Sequence, residues 1–208
     1  MAGVQKPALV LASASPRRRD LLDQAGASFE ILVSHVDETL VGDPAPVQAA
    51  ESLARQKAQA VADSLPVDRT CWVLGADTVV ALGPDGDSTL LGKPRDAAEA
   101  KAMLESLSGT RHRVITGVCV VSRPSGEVLV GSECTFVTMR EITPDEVRSY
   151  VASGEWQDKA GGYAIQENAD AFVDRLEGGG FDNVVGLPVS KVFEMLRHAG
   201  LAIGPIAP

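Results

Sequence analysis

The stretch ALVLASASPRRRDLLDQAG, residues 8–26, predicts a short strand that runs directly into a helix. Residues 8–12 are apolar and suit a buried strand. Ser15 suits the N-cap of a helix over residues 16–25, and Pro16 suits its first position. A strand followed at once by a helix is the first half of an α/β arrangement.

Three arginines, Arg17–Arg19, occupy the first turn of this predicted helix. A helix N-terminus carries unpaired N–H groups and a partial positive charge, so cations there cost stability unless an anion binds. Two interpretations stand side by side. The turn is either a solvated basic surface compensated by Asp20 and Asp23, or a phosphate site where N–H groups, hydroxyls and guanidinium groups converge.

Outward from this stretch, apolar periodicity and turn signals predict alternating strands and helices. The order, with a long hairpin near its centre, indicates an α/β protein with a mixed sheet, and we expect one domain over residues 1–208. The further helices are predicted at 47–64, 97–107, 144–153 and 189–199, and the further strands at 29–34, 71–74, 79–82, 114–121, 128–139 and 171–176.

Composition narrows the function classes. The 208 residues carry a formal net charge of −9, which argues against general binding to nucleic acid or to an anionic membrane. An acidic protein with a local arginine cluster instead suggests a small, multiply charged anion in a focused pocket. Three cysteines without paired spacing, and the lack of a signal peptide or an apolar run near 18 residues, predict a reduced cytoplasmic protein with no membrane span.

Two charged residues interrupt apolar patterns. Asp77 lies in the segment 75–78 between two apolar strands, where an ionised carboxylate is costly unless it is paired, and we predict a functional carboxylate at a strand end. Lys57 falls on the apolar face of helix 47–64. Taken alone, its simplest interpretation is an edge residue whose ammonium reaches water, although an ammonium facing a cleft would be available to a phosphate or a carboxylate.

Two further loops place charge beside predicted elements. Lys93, within Gly92-Lys93-Pro94, precedes helix 97–107 but is not part of a Walker A motif. Asp37 and Glu38 follow strand 29–34 and form an acidic dipeptide of the kind that is usually solvated. The three histidines show no metal-ligand spacing, and no Ser/His/Asp arrangement can be argued from the sequence.

Several of these segments, taken in order, resemble the Maf family of nucleoside triphosphate pyrophosphatases. The resemblance runs from about residue 8 to about residue 196 and implies a fold similar to the inosine triphosphate pyrophosphatases, with a mixed twisted sheet and a cleft between two lobes. Residues 159–166, KAGGYAIQ, resemble the subgroup that acts on dTTP and UTP. The other matching segments are residues 11–18, 75–80, 92–94, 108–110 and 186–188.

The resemblance also implies roles for individual residues. Asp77 corresponds to the general base, and Arg17, Thr78 and Gln166 correspond to positions linked with substrate choice. We expect Glu38 and Asp77 to hold Mg²⁺ or Mn²⁺. The remaining residues expected to line the cleft and hold the triphosphate are Ser13, Ser15, Arg18, Lys57 and Lys93.

Two departures from the family pattern bear on the choice of nucleotide. Glu167 and Asp158 stand where the family usually has glycine. The alternatives are therefore a purine-directed, inosine-type pyrophosphatase and a nucleotide-binding regulator of cell division with weak or no hydrolysis. Related proteins are often dimers, so the resemblance suggests a homodimer, which nothing in the apolar patterning tests.

Overall fold

A computed structural model describes residues 8–36, 38, 40, 42–84, 86–166 and 168–201. Asp37 and Glu167, both named above, lie outside the described residues. The described residues form seven strands and six α-helices, in the order β1 (Ala8–Leu11), α1 (Pro16–Gln24), β2 (Phe29–Ile31), α2 (Pro46–Ser64), β3 (Cys71–Leu82), β4 (Thr89–Leu91), α3 (Ala97–Leu107), β5 (Arg111–Arg123), β6 (Val128–Met139), α4 (Pro144–Ser153), β7 (Val173–Glu177), α5 (Phe181–Val185) and α6 (Val189–His198).

The seven strands form one mixed sheet, as the alternation of elements predicts. The strand order is β2-β1-β3-β5-β6-β7, and the short β4 also pairs with β3. β1 runs parallel to β2 and β3, whereas the pairs β3–β5, β5–β6 and β6–β7 are antiparallel. The mixed α/β fold class is therefore confirmed.

One edge of β3 is left open in its middle. On that side β1 pairs with β3 only as far as Leu11 opposite Leu74, and β4 pairs with it only from Leu91 opposite Val80. Within the part of the chain that the structure describes, no strand covers residues 75–79 on this edge. The loops that follow β1 and β4 leave the sheet at the two ends of this gap. Ligands of α/β proteins bind at such crevices beside the ends of strands.

Helices cover both faces of the sheet and divide the core into two lobes. α2 covers one face, where Ala54 and Val61 pack on β1, β3 and β5. α1 and α6 cover the other face around Leu22 and Phe193. α3 and α4 pack with the far halves of β3, β5 and β6 in a separate cluster around Leu104. The cleft lies between these two groups of helices.

α2 lies directly on the backbone of the sheet because two strand residues lack a side chain. A Cβ atom at Gly75 of β3 would lie 2.3 Å from the carbonyl oxygen of Ala54, and one at Gly117 of β5 would lie 2.3 Å from the carbonyl of Ala50. Real Cβ atoms do not approach backbone atoms this closely. The glycines therefore set the depth at which α2 sits and the side chains that it brings to the sheet.

The structure corrects the prediction that residues 75–78 break the chain into two strands. β3 is continuous over twelve residues, so Asp77 lies in the middle of a central strand and not at a strand end. Gly75 acts as a contact surface for α2 rather than as a turn. β2 is also shorter than predicted, and the five-residue α5 was not predicted.

Local helix signals are confirmed where they were strongest. The hydroxyl of Ser15 accepts a hydrogen bond from the backbone of Arg18, and Pro16 begins α1. Thr143 and Glu146 form a reciprocal capping box at the start of α4. Among the described helices, none is long and apolar enough to cross a bilayer. The three cysteines are unpaired, and two of them are buried.

Candidate active site

The gap beside β3 opens into a cleft with two adjoining compartments. One compartment, which we call the apolar compartment after the valine side chains in its inner wall, includes Val80, Val114 and Gln166. The polar compartment includes Ser13, Ser34 and Glu38. Together the two compartments bring in all ten predicted site residues, which come from six parts of the chain: Ser13, Ser15, Arg17, Arg18, Glu38, Lys57, Asp77, Thr78, Lys93 and Gln166.

Four cations line both compartments and form the boundary between them. We call Arg17, Arg18, Lys57 and Lys93 the cation cluster. α1 supplies the arginines, α2 supplies Lys57, and the loop after β4 supplies Lys93. A chain of net charge −9 that concentrates four cations in one cleft has the electrostatics of an anion-binding site.

Lys57 is buried and ion-paired, contrary to the simplest interpretation of its position. Its side chain is only 9% exposed, and its Nζ contacts the carboxylate of Asp77 and lies 2.9 Å from Oε1 of Glu38. Gly75 lets α2 approach closely enough for this pairing. The ion pair offsets much of the cost of burying the charge of Asp77 in the sheet.

Glu38 is more exposed than its partners in this pairing. Partial burial raises the pKa of Glu38, but the hydrogen bond from Lys57 and the charges of Lys57, Lys93 and Arg18 outweigh that effect and lower the pKa below its ordinary value. The carboxylate is therefore charged at neutral pH. Two carboxylates thus converge on one ammonium at the floor of the cleft.

Arg18 holds three parts of the cleft together. Its Nε donates to the carbonyl of Gly186 at 2.8 Å, and its Nη2 donates to Oγ1 of Thr78 at 3.1 Å. Its Nη1 lies 3.4 Å from Oγ of Ser13. Burial lowers the pKa of Arg18, and the nearby charge of Asp77 only partly offsets this. With three of its five N–H groups engaged, Arg18 keeps the remainder for a ligand.

A chain of hydroxyl groups continues from Arg18 into the core. Oγ1 of Thr78 lies 2.9 Å from Oγ1 of Thr116 on β5, and Thr116 donates to the carbonyl of Asn183 at 2.9 Å. The side-chain amide of Asn183 in turn donates to the carbonyl of Val114 and to Thr135. These bonds attach α5 to the sheet and hold the apolar wall that it contributes.

The opposite wall is a loop that is fastened at several points. The carboxylate of Glu155 accepts hydrogen bonds from Asn168 at the base of the loop. The backbone N–H of Gly161 donates to the carbonyl of Gly92 at 2.9 Å, which joins this wall to the Lys93 loop. Tyr163, at the centre of the loop, shares a buried hydrogen bond of 2.7 Å with Nε2 of His112.

The donor atoms of the cleft fit a divalent cation that takes most of its ligands from a substrate. In the described part of the chain, no three carboxylate, imidazole or thiol side chains come together in a metal-binding group. Glu38 and Asp77 nevertheless reach one common point, the Nζ of Lys57. Mg²⁺ is usually held by one or two carboxylates together with phosphate oxygens and water, which is the donor set available here.

Some residues of the site carry no signal in the sequence. Thr116 and Asn183 are buried polar residues with no charge or spacing pattern to mark a function, whereas Tyr163 belongs to the matched segment 159–166. Asp158 lines both compartments and has a positive φ of 59°. The glycine typical of its position is therefore explained by the left-handed backbone, which aspartate tolerates better than most residues.

Comparison with known proteins identifies close relatives. A family model described as Maf-like protein matches residues 8–199. A dTTP/UTP pyrophosphatase of Pelotomaculum thermopropionicum is 47% identical, with 92% of this chain and 96% of that protein aligned. One of a Geobacillus species is 46% identical over 92% and 98% of the two chains. One of Salinibacter ruber is 47% identical over 91% and 89%.

Proposed function

Because this chain belongs to the family of Maf-like proteins, we propose that it is a nucleoside triphosphate pyrophosphatase. The reaction is hydrolysis between the α and β phosphates, which releases a nucleoside monophosphate and pyrophosphate. The aligned relatives are named dTTP/UTP pyrophosphatase, so the preferred substrates are dTTP, UTP or modified pyrimidine nucleotides. The observation that carries the proposal is the cation cluster beside the buried Asp77.

The cation cluster binds the triphosphate. Phosphoryl transfer is catalysed mainly by positioning and by neutralising charge on the phosphate oxygens. Arg17 and Lys93 line both compartments. The backbone N–H groups at the start of α1 add hydrogen-bond donors that carry partial positive charge. Hydrogen bonds to Gly186 and Thr78 hold the guanidinium of Arg18 in place before the substrate binds. The side chain therefore loses little conformational entropy on binding.

Asp77 orients and deprotonates the attacking water. Its carboxylate lies in the wall of the apolar compartment and contacts Lys57. It is fixed on a central strand, so it has little freedom to move away from the phosphate. A rigid carboxylate beside the scissile bond is suited to general base catalysis. Lys57 keeps this carboxylate in place and supplies positive charge to the phosphates.

Glu38 and Asp77 would also hold Mg²⁺ or Mn²⁺. When bound, such an ion supplies further neutralisation of phosphate charge. Lys57 bridges the same two carboxylates and so keeps them together before the substrate arrives. Glu38 is the more exposed of the two, so it can turn toward solvent or toward the phosphates.

The apolar compartment receives the base. Val80, Val114 and Val184 give it surfaces that a pyrimidine ring can contact, and Gln166 supplies an amide at its edge. An amide both donates and accepts hydrogen bonds, which matches the alternating groups of uracil and thymine. We place the protein in the cytoplasm and propose that it forms a homodimer. Its binding partner is the nucleotide, and not nucleic acid or a membrane.

The proposal is tested with purified protein and a panel of nucleoside triphosphates in the presence of Mg²⁺ or Mn²⁺. Pyrophosphate and phosphate are measured separately for dTTP, UTP, dCTP, ITP and GTP. We expect pyrophosphate from dTTP or UTP and a fall in kcat of about two to four orders of magnitude in Asp77→Asn. Tight binding without pyrophosphate from any nucleotide would favour a nucleotide-binding regulator, and preference for ITP would favour the purine-directed alternative.

A further inference from the structure

A series of hydrogen bonds runs from Arg18 through Thr78 into the core, and the proposed reaction gives no role to the part beyond Thr78. It links Nη2 of Arg18, Oγ1 of Thr78, Oγ1 of Thr116 and the carbonyl oxygen of Asn183, with distances of 3.1, 2.9 and 2.9 Å. Thr116 is fully buried and does not line the cleft. An effect of the Thr116 hydroxyl on the substrate therefore passes either through Thr78 or through α5, to which Thr116 is joined at Asn183.

These hydrogen bonds can be donated in one direction only, because each hydroxyl group has a single proton. The carbonyl oxygen of Asn183 can only accept, so the proton of Thr116 points to it. Thr116 must then accept from Thr78, whose own proton is used in that bond. The guanidinium of Arg18 can only donate, so Thr78 accepts from it as well. Thr78 is left with one unused lone pair and no free proton.

We propose that Thr116 is a positioning residue that commits the proton of Thr78 and so makes Thr78 a pure hydrogen-bond acceptor toward the nucleotide. This inference rests on the proposed function. The acceptor selects uracil and thymine, because ring atom N3 of these bases carries a hydrogen. Cytosine has a bare lone pair at N3, which would face the lone pair of Thr78.

The position of Thr78 favours contact with the base over contact with the β and γ phosphates. Thr78 lines only the apolar compartment, together with Val80, Val114 and Gln166. A phosphate oxygen beside it would bring two acceptors together without a proton between them. Val80, Val114 and Val184 lie in the same wall. Beside such apolar side chains, a mismatched polar group of the base loses its hydrogen-bond partner, so the penalty discriminates between bases.

The experiment compares affinities for the α,β-methylene analogues of dTTP and dCTP, which resist cleavage between the α and β phosphates. Isothermal titration calorimetry is performed on the wild type, Thr116→Val and Thr116→Ser. In Thr116→Val the proton of Thr78 is free to turn into the cleft. We expect the dCTP analogue to bind about three- to tenfold tighter and the dTTP analogue to bind no tighter. Thr116→Ser keeps both hydrogen bonds and should keep the wild-type ratio.

Thr135→Val is the matched control. Thr135 is also a fully buried threonine, on the neighbouring strand β6. Its hydroxyl accepts from the side-chain amide of Asn183 and donates to the carbonyl of Gly180, so these hydrogen bonds lead to α5 and not to Thr78. We expect lower stability and an unchanged ratio of the two affinities. A shift as large as that in Thr116→Val would assign the effect to α5 and overturn the proposal.

The remaining outcomes are also decisive. If Thr116→Val fails to fold, Thr78→Val removes the acceptor itself and should reduce the preference for the dTTP analogue; an unchanged preference would overturn the proposal. Equal weakening of both analogues in Thr116→Val would mean that a sugar hydroxyl meets Thr78, which overturns base selection. A wild type that binds the analogues but releases no pyrophosphate would refute the pyrophosphatase proposal alone. A wild type that binds neither analogue would refute both.

Discussion

The ammonium of Lys57 and the carboxylate of Asp77 meet because α2 rests directly on the backbone of the sheet. Both side chains are only 9% exposed, and they come from a helix and a strand that are 20 residues apart in the chain. The contact depends on Gly75 and Gly117, where a Cβ atom would collide with the backbone of α2. The packing of small residues therefore controls the position of the charges in the site.

Gly117→Ala should destabilise the protein and abolish activity together. The new Cβ would lie 2.3 Å from the carbonyl of Ala50 and 2.5 Å from the backbone nitrogen of Glu51, and these backbone atoms of α2 cannot turn aside as a side chain could. We expect the free energy of unfolding in urea to fall by about 3 kcal/mol or more. Gly131→Ala is the control, because its Cβ would make only ordinary contacts, with the side chains of Met195 at 3.7 Å and Lys191 at 3.9 Å. Equal losses in the two variants would contradict this account of the packing.

Lys57→Met should be more harmful to stability than the pair of substitutions Lys57→Met and Asp77→Asn. Removing the ammonium leaves the charge of Asp77 buried without its partner, which costs about 3–5 kcal/mol. Replacing Asp77 by the neutral amide in the same chain should restore most of that loss. Denaturant unfolding of all four chains measures the coupling, and additive losses would argue against it. Activity should stay absent in the double variant.

Asp158→Asn should bind nucleoside triphosphates more tightly. Asp158 places a negative charge between the two compartments, beside the cation cluster. Removing it should lower KM about two- to tenfold at low salt, with a smaller effect as salt screens the charge. Asn tolerates the positive φ of 59°, so the backbone should not change. Asp68→Asn, on an exposed loop outside the cleft, should leave KM unchanged.

Stability should fall as the pH drops from about 6.5 to about 4 because of His112. Burial lowers the pKa of His112 to about 4, so the folded protein binds fewer protons than the unfolded chain in this range. The unfolded chain is then favoured by up to about 3 kcal/mol at the lower pH. Above pH 6.5 the effect vanishes, because the imidazole is neutral in both states.

His112→Gln provides the comparison for this pH dependence. Glutamine does not titrate and can still offer a hydrogen bond to Tyr163. Urea unfolding of the two proteins between pH 4 and pH 8 should give curves that diverge below pH 6.5, with the wild type losing more stability. Parallel curves across the whole range would mean that His112 does not titrate on unfolding in this window.

Gln166→Ala should change the ranking of nucleotides more than it slows the preferred reaction. Gln166 lies at the edge of the apolar compartment, whereas the chemistry is assigned to Asp77. Pyrophosphate release from dTTP, UTP, ITP and GTP gives the ranking as kcat/KM. Gln157→Ala is the control, because Gln157 lines only the polar compartment and should not affect the ranking. An unchanged ranking in Gln166→Ala would refute its role in reading the base.

The sequence predicts which residues line the cleft better than it predicts their surroundings. All ten residues inferred from helix signals and resemblance lie along one cleft. The simplest interpretation of Lys57, an edge residue with its ammonium in water, was wrong. The alternative, an ammonium facing a cleft and available to a phosphate or a carboxylate, agrees with its contact to Asp77. The break at Gly75 was also wrong, since the helix that covers this glycine cannot be seen from local sequence.

What the sequence determined by itself is local. Ser15 and Pro16 specify the start of α1, and Thr143 and Glu146 specify the start of α4, because a cap needs only groups within one helical turn. The alternation of elements also sufficed for a mixed α/β sheet. These features follow from short-range sterics and hydrogen bonds, which any isolated segment already contains.

The tertiary structure decided where the charges lie and what they can do. The gap beside β3 exists because β1 and β4 stop at different points along it, and the contact between Arg18 and Gly186 joins residues 168 positions apart. Burial, pairing and the direction of the Thr78 hydrogen bonds all depend on such distant contacts. They arise only when the helices and the sheet exclude water from one another, which no segment of the chain can do alone.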